Sequence, residues 1–380
     1  MASGYWQLAQ KREALPSVEA ASSQEPAASS LKTTTMKKTI LFLGLLLALF
    51  ACDNTPKPET NNTTTEPETT SVTVSEAIQL LTDSIIMDST NARLYVNRAK
   101  AYFADEQVGQ AMVDINKSLQ LDPNNMDIYL LLADVYYALG DQDNIASTLN
   151  RAVEIDPYDT RPLVKLAELN LLQQNFNLAF AYVDKALGIS TYNPKAYFVK
   201  GMCYMASKQD TVNALKNFQL ASEQDENFYD PVEQISRIYA VQQPLYAMDY
   251  LRKAQQQFPD IPTARYELAL YLQSHGEPEE ALLHYDTILM TYPYNYIVLF
   301  NKGYVNYVYL MDNEAALEYF NRALTINPTY IDAKYNKGRV LEQMGDYSQA
   351  IEIYKDVLKT QPDYKLAIDA LNRVQNQETE

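Results

Sequence analysis

The chain has 380 residues but only two cysteines, Cys52 and Cys203, two histidines, His275 and His284, and one tryptophan. Two cysteines cannot staple a fold of this size, so packing must hold it together. The ten glycines are scattered, and none of them builds a glycine-rich loop that could cradle a phosphate. The histidines stand nine positions apart with no cysteine nearby, which is not metal-ligand spacing. Positive charge is short as well. Lys and Arg number 31 against 48 Asp and Glu, a formal net charge of -17, and no basic stripe offers itself to nucleic acid or to anionic lipid. The longest apolar run, Ile40 to Ala51, has about 12 residues where a bilayer crossing takes roughly 20. No metal, cofactor, nucleic acid or catalytic turnover is therefore expected. Apolar residues, by contrast, make up 47% of the chain and tyrosines number 30, enough to build a continuous core.

The apolar residues follow a repeating unit, seen most clearly over residues 331–364, IDAKYNKGRVLEQMGDYSQAIEIYKDVLKTQPDY. Two stripes at helical spacing run through it, one through Tyr335, Gly338 and Leu341, the other through Ala350, Tyr354, Val357 and Leu358. The unit reads as two antiparallel helices. Gly345 can take the positive φ that ends the first, Asp346 can cap the second, and Pro362 closes it. Gly338 and Ala350 are small so that the helices can approach, with Tyr354 filling the space beside them. Closing prolines recur at Pro328, Pro293, Pro259, Pro157 and Pro123, and small second-helix residues at Ala316, Ala281, Ala247, Ala214, Ala179 and Ala111. The register gives eight units, beginning at Ala92, Met126, Thr160, Pro194, Tyr229, Pro262, Tyr296 and Ile331. Thr191 and Glu226 replace the closing proline and Ile145 the alanine; two inter-helix turns are one residue longer and one is a residue shorter.

This period and these residue types resemble the tetratricopeptide repeat family over roughly residues 92–364. The resemblance implies an all-α fold, an α-α superhelix of tandem repeats with both ends capped. Residues 73–91 then form an N-terminal capping helix, since Ser75 to Ile86 matches a second helix without its first. Residues 365–380 form a solvating helix and tail, whose stripe of Leu366, Ala367, Ala370 and Leu371 covers the last repeat. Cys203 falls within a first helix and reads as a small core residue.

The start of the chain reads differently. Residues 1–35 show no sustained period and are expected to lie outside the working protein, as an over-extended or non-native segment. Met36-Lys37-Lys38 followed by the apolar run has the layout of a signal peptide over 36–51, and Leu49-Phe50-Ala51-Cys52 resembles the lipobox of bacterial lipoproteins. That resemblance implies acylation of Cys52. A buried cysteine after a hydrophobic helix, or an ordinary signal peptide with an incidental cysteine, are the alternatives. Residues 52–72, rich in Thr, Pro, Asn and Glu, read as an extended tether. The expected place is a bacterial envelope membrane, outer rather than inner and facing the periplasm, with exposure at the cell surface left open.

In the family, the second, fifth, sixth, ninth and twelfth positions of each first helix face a concave groove. Carried over, these include Arg93, Val96, Asn97, Lys100 and Phe103, then Asp134, Tyr137, Glu168 and Met202, and in the last three repeats Tyr266, Leu270, Ile297, Phe300, Asn301, Tyr304, Tyr335, Asn336 and Arg339. Asn97, Asn301 and Asn336 resemble the asparagine that holds a ligand's backbone, because an amide offers both a donor and an acceptor. Tyr266, Phe300, Tyr304 and Tyr335 would supply rigid apolar faces beside it. The same residues also suit packing against the adjacent helix. The lysine and asparagine clamp of the chaperone-binding subgroup is not implied, since Val96 and Lys100 take its first two positions. The expectation is a membrane-anchored adaptor that docks envelope proteins or peptides. The alternative is a surface lipoprotein binding glycan or nutrient through tyrosines, and the oligomeric state stays open.

Overall fold

A computed structural model describes residues 73–242 and 244–378. The expected signal peptide over 36–51, Cys52 and the expected tether over 52–72 lie outside the described residues. Within them there are eighteen helices and no strand. The chain divides into two compact units, one holding the described residues through Ile235 and the other those from Ser236 onward.

The first unit opens with α1 (Val74–Met87), whose N-terminus is closed by a capping box in which Thr73 and Glu76 exchange hydrogen bonds. Helix pairs follow: α2 (Ala92–Ala104) with α3 (Val108–Leu121), α4 (Met126–Ala138) with α5 (Gln142–Ile155), α6 (Arg161–Leu172) with α7 (Phe176–Ile189), and α8 (Pro194–Lys208) with α9 (Thr211–Gln224). The unit boundary falls inside α10 (Tyr229–Gln242). The second unit continues with α11 (Pro244–Gln257) and pairs α12 (Pro262–Ser274) with α13 (Pro278–Thr291), α14 (Tyr296–Val308) with α15 (Asn313–Ile326), and α16 (Ile331–Gln343) with α17 (Tyr347–Thr360); α18 (Lys365–Glu378) packs on α17. The longer turn expected in the fourth repeat is not found, because the extra residue is taken up by α8, which reaches 15 residues before Gln209 ends it in the left-handed region.

Local chemistry explains the element ends. Asn91, Asn125, Asn193 and Asn295 accept from the first turns of their helices, and Asp141, Asp210, Asp312 and Asp346 do the same for second helices. First helices end in a shared motif. The residue after a left-handed one donates its N–H back five residues, as Gln107 to Tyr102, Asp141 to Tyr136, Asn175 to Asn170 and Asp346 to Leu341. Glycine fills the left-handed slot at 140 and 345, but Glu106 (φ 59°) and Gln174 (φ 60°) fill it elsewhere. A side chain there costs about 1–2 kcal/mol. Gly345→Ala should therefore lower stability by about that much, and Gln174→Gly should raise it by less, since the new glycine loses more backbone freedom on folding. Urea unfolding midpoints of the two variants measure both signs.

Close approach within pairs is set by glycine facing a ring. A Cβ at Gly201 would meet Phe218 at 2.5 Å, at Gly303 Phe320 at 2.7 Å, and at Gly338 Tyr354 at 2.6 Å. All three rings are fully buried. Cys203 is buried too, and burial pushes its thiol up to about 12, so it stays a neutral packing group.

Candidate functional site

Three first helices of the second unit, α12, α14 and α16, present most of the candidate groove residues singled out above. Asn301 on α14 donates Nδ2 to the Tyr266 hydroxyl on α12 at 2.9 Å, which ties two successive first helices together. Asn336 donates Nδ2 to the Asp332 carbonyl one turn back at 2.9 Å, and its Oδ1 accepts from Arg339 Nη1 at 3.4 Å. Both amides thus have partners within the protein. Phe300 and Tyr335 are buried, at 7% and 8% exposure. The Phe300 ring lies 5.7 Å from Phe320 and 5.2 Å from Tyr330; Tyr335 lies 5.9 Å from Tyr354 and 5.5 Å from Tyr364. Ile297 is buried as well, while Leu270, Tyr266, Tyr304 and Arg339 are half-buried and reach the surface. Asn97 belongs to the first unit, where it is exposed on α2.

The structure adds residues that the sequence did not single out. A recess of about 180 Å³ is lined by Tyr307, Arg339, Glu342, Gln343 and Arg373. Tyr307 and Glu342 are the twelfth residues of their repeats, and Arg373 is the ninth of α18. The position rule, extended to α18 as though it were one more first helix, would have found them. Arg339 lies over the Tyr307 ring at 5.1 Å and the Tyr335 ring at 6.0 Å. The phenols of Tyr285 and Tyr330 are pushed up by burial and remain neutral.

In the first unit the corresponding face carries charge. Arg161 bridges Asp127 on the preceding first helix at 2.8 Å and its neighbour Asp159, and Lys165 pairs with Asp134. Burial raises the Glu168 carboxyl, against the pull of Lys195 and Lys165.

His284 on α13 sits among charges. Arg265 on α12 approaches its Nδ1 at 3.4 Å, and Glu280, held by Arg252 on α11 at 2.5 and 2.8 Å, stands 3.7 Å from Nε2. Burial first, then the Arg265 guanidinium, hold the imidazole below its usual range despite Glu280. The unfolded chain then takes up this proton before the folded one as pH falls. Stability contributed by neutral His284 is complete above about pH 6.5 and is lost on acidification toward the folded value. Melting temperature should fall between pH 7.5 and 5.5, and His284→Gln should flatten that slope; an unchanged slope would remove His284 from the account.

Family models of the tetratricopeptide repeat match residues 92–125, 127–159, 266–331 and 312–373. The chain carries tetratricopeptide repeats. It is 49% identical over 43 residues to an uncharacterized protein of Methanocaldococcus jannaschii, which covers 11% of this chain and 50% of that protein. It is 34% identical over 77 residues to a tetratricopeptide repeat and J domain-containing co-chaperone of Fusarium oxysporum f. sp. lycopersici, 20% of this chain and 15% of the relative. The chain thus spans half or less of the length of these curated relatives. Among solved structures it resembles YrrB, described as a tetratricopeptide repeat protein with an unusual peptide-binding site, at 25% identity over 50% of this chain and 98% of that one, with a TM-score of 0.41. The Cut9–Hcn1 hetero-tetramer of the APC/C matches at 18% identity over 79% of this chain and 59% of the other, with a TM-score of 0.51, a likeness of fold.

Proposed function

We propose that this protein is a non-enzymatic scaffold, lipid-anchored at Cys52 to a bacterial envelope membrane, that docks partner proteins along the first-helix face of its second unit. Tetratricopeptide repeats generally mediate protein–protein interaction. One observation carries the reading to this face: Tyr266, Tyr304 and Arg339 are half-buried on three successive first helices, neither core nor fully solvated surface, and are backed by the buried Asn301 and Tyr307 through the Asn301–Tyr266 bond and the Arg339–Tyr307 contact. Sugar stacking is less well supported, because it needs open ring faces and Phe300 and Tyr335 spend theirs on the core. The lipobox-like segment and the tether-like composition of residues 52–72 support the envelope placement, with the periplasmic side of the outer membrane as the proposed address.

Crosslinking from native envelopes tests the docking face. Wild type should capture defined proteins that Tyr304→Ala loses and Leu283→Ala, on an exposed second-helix position, retains. Equal loss in both variants, or in neither, would move binding to another surface. Metabolic labelling with a fatty acid should mark the wild type and not Cys52→Ser; label on both would end the lipoprotein reading.

A further inference from the structure

The first unit opens with a second helix that has no first helix to pair with. A step of 34 residues back from α3 puts Ala77, Leu80, Leu81 and Ser84 of α1 at the places of Ala111, Asp114, Ile115 and Ser118. In α3 these four are the buried residues, at 0%, 3%, 0% and 0% exposure, on the side where α2 packs and Arg98 grips Asp114. In α1 the same four are open: Ala77, Leu81 and Ser84 are half-buried, and Leu80 is 60% exposed. The side of α1 that meets α2 is already used, since Ile85 is buried and the Thr82 hydroxyl accepts from Arg98. Leu81 and Ser84 stand one residue back from that pair, about 100° round the helix. The stripe therefore occupies the flank where every other second helix of the unit has its own first helix.

We infer that this stripe receives a basic amphipathic helix of another protein, which supplies the first helix that α1 lacks. The register fixes what that helix must carry. Asp114 takes Arg98 as its partner on α2, but Leu80 stands at the same place in α1. A charge laid against Leu80 would be buried without a partner, so the fitting helix has an apolar residue there. Its flank is set by charge. Glu76 and Asp83, both exposed, stand about one turn to either side of Leu80, and residues 73–92 contain no Lys or Arg. Basic residues beside the apolar stripe complement them, whereas a second copy of α1 would bring the same acids against them. One helix in one slot is a small contact, of the size that transient partners use. The slot lies in the first unit and is independent of the docking face proposed for the second.

The chain itself supplies the probe. A fluorescent peptide with the α2 sequence, residues 92–104, carries Arg93, Arg98 and Lys100 around Leu94, Tyr95, Ala99 and Phe103, and its Arg98→Leu version puts an apolar residue opposite Leu80. Anisotropy with the full chain should show saturable binding of the Arg98→Leu peptide, about tenfold tighter than the parent sequence, and weaker in high salt. Leu80→Glu in the protein should weaken that peptide by about tenfold or more, and Leu80→Ala by less. Leu80 is mostly exposed, so circular dichroism of both variants should match wild type. Hydrogen exchange should slow in α1 when the peptide is bound. Slowing in α3 instead would mean that the peptide had displaced α2, and would overturn the inference. So would equal binding of the two peptides, or unchanged affinity in Leu80→Glu. Absence of binding would also overturn it, and would make α1 a cap whose flank is left to solvent, to the chain's own residues before Thr73 or to a second copy. None of these outcomes bears on the crosslinking test, since Tyr304 belongs to the second unit.

Discussion

Phe320→Ala is expected to cost about 3–5 kcal/mol, the range for truncating a fully buried ring in a core that cannot collapse around the gap. Phe320 has no exposed surface and packs among Leu299, Phe300, Ala316, Ala323 and Val340. Its neighbour across the pair is Gly303, where a Cβ would stand 2.7 Å from the ring. Ring and glycine are two halves of one fit, and that makes the prediction stronger than a simple cavity estimate. Gly303→Val in the wild-type background should itself cost about 1–3 kcal/mol by overpacking. In the Phe320→Ala background the same valine enters the vacated space, so the double variant should lose less than the two singles together by at least about 1 kcal/mol. Urea unfolding of the four proteins measures the cycle. Additive losses would show that the glycine is small for its backbone and not for the ring. Because each repeat leans only on its neighbours, hydrogen exchange should localise the damage to α14, α15 and the helices beside them.

The fold was largely legible because the residues that set it are local. Gly338, Ala350 and Tyr354 occupy fixed offsets in one unit, and the structure puts the Tyr354 ring against Gly338 as the spacing requires. Asp346 accepts from Gln349 N at 3.1 Å, and Gly345 takes φ 82°, both as read from the turn. The same slot at Glu106 and Gln174 could not be read this way. There the hydrogen-bonded motif, not the residue, enforces the left-handed backbone. The site was legible in position but not in exposure. The fifth residue of a first helix can face either the open surface or the next repeat, and what decides it is a residue far along the chain. Tyr330 and Tyr364, both in the turns between repeats, cover Phe300 and Tyr335. Arg373 was missed for the opposite reason: α18 was read as a solvating helix whose apolar stripe covers the last repeat, and only the contact of Arg373 with Glu342, thirty-one residues back, ties its polar side to the first-helix face.

Arg98→Ala should cost about 3–5 kcal/mol, because it leaves a carboxylate buried without its partner. Arg98 on α2 meets Asp114 on α3 in a two-pronged pair, Nε to Oδ2 at 2.7 Å and Nη2 to Oδ1 at 2.8 Å, and the Asp114 side chain is only 4% exposed. The third prong, Nη1, reaches the Thr82 hydroxyl on α1 at 3.1 Å, and the guanidinium lies within 6 Å of the Tyr95 and Tyr102 rings. One side chain thus joins the capping helix to the first repeat. Nothing in the repeat pattern announces this, since neither position belongs to the small-residue or aromatic slots. Two consequences separate an orphaned charge from lost packing. Replacing both partners by apolar residues of similar volume, Arg98→Met with Asp114→Leu, should restore most of the stability, because no charge is then left in the core. Hydrogen exchange in α1 should nevertheless stay faster than in wild type, since the Thr82 bond is gone in both variants. If the double variant is as unstable as Arg98→Ala, the pair stabilises the unit through its geometry and the desolvation argument fails. If α1 exchanges as in wild type, the cap is held by its apolar face alone, with Ile85 at the centre of that contact.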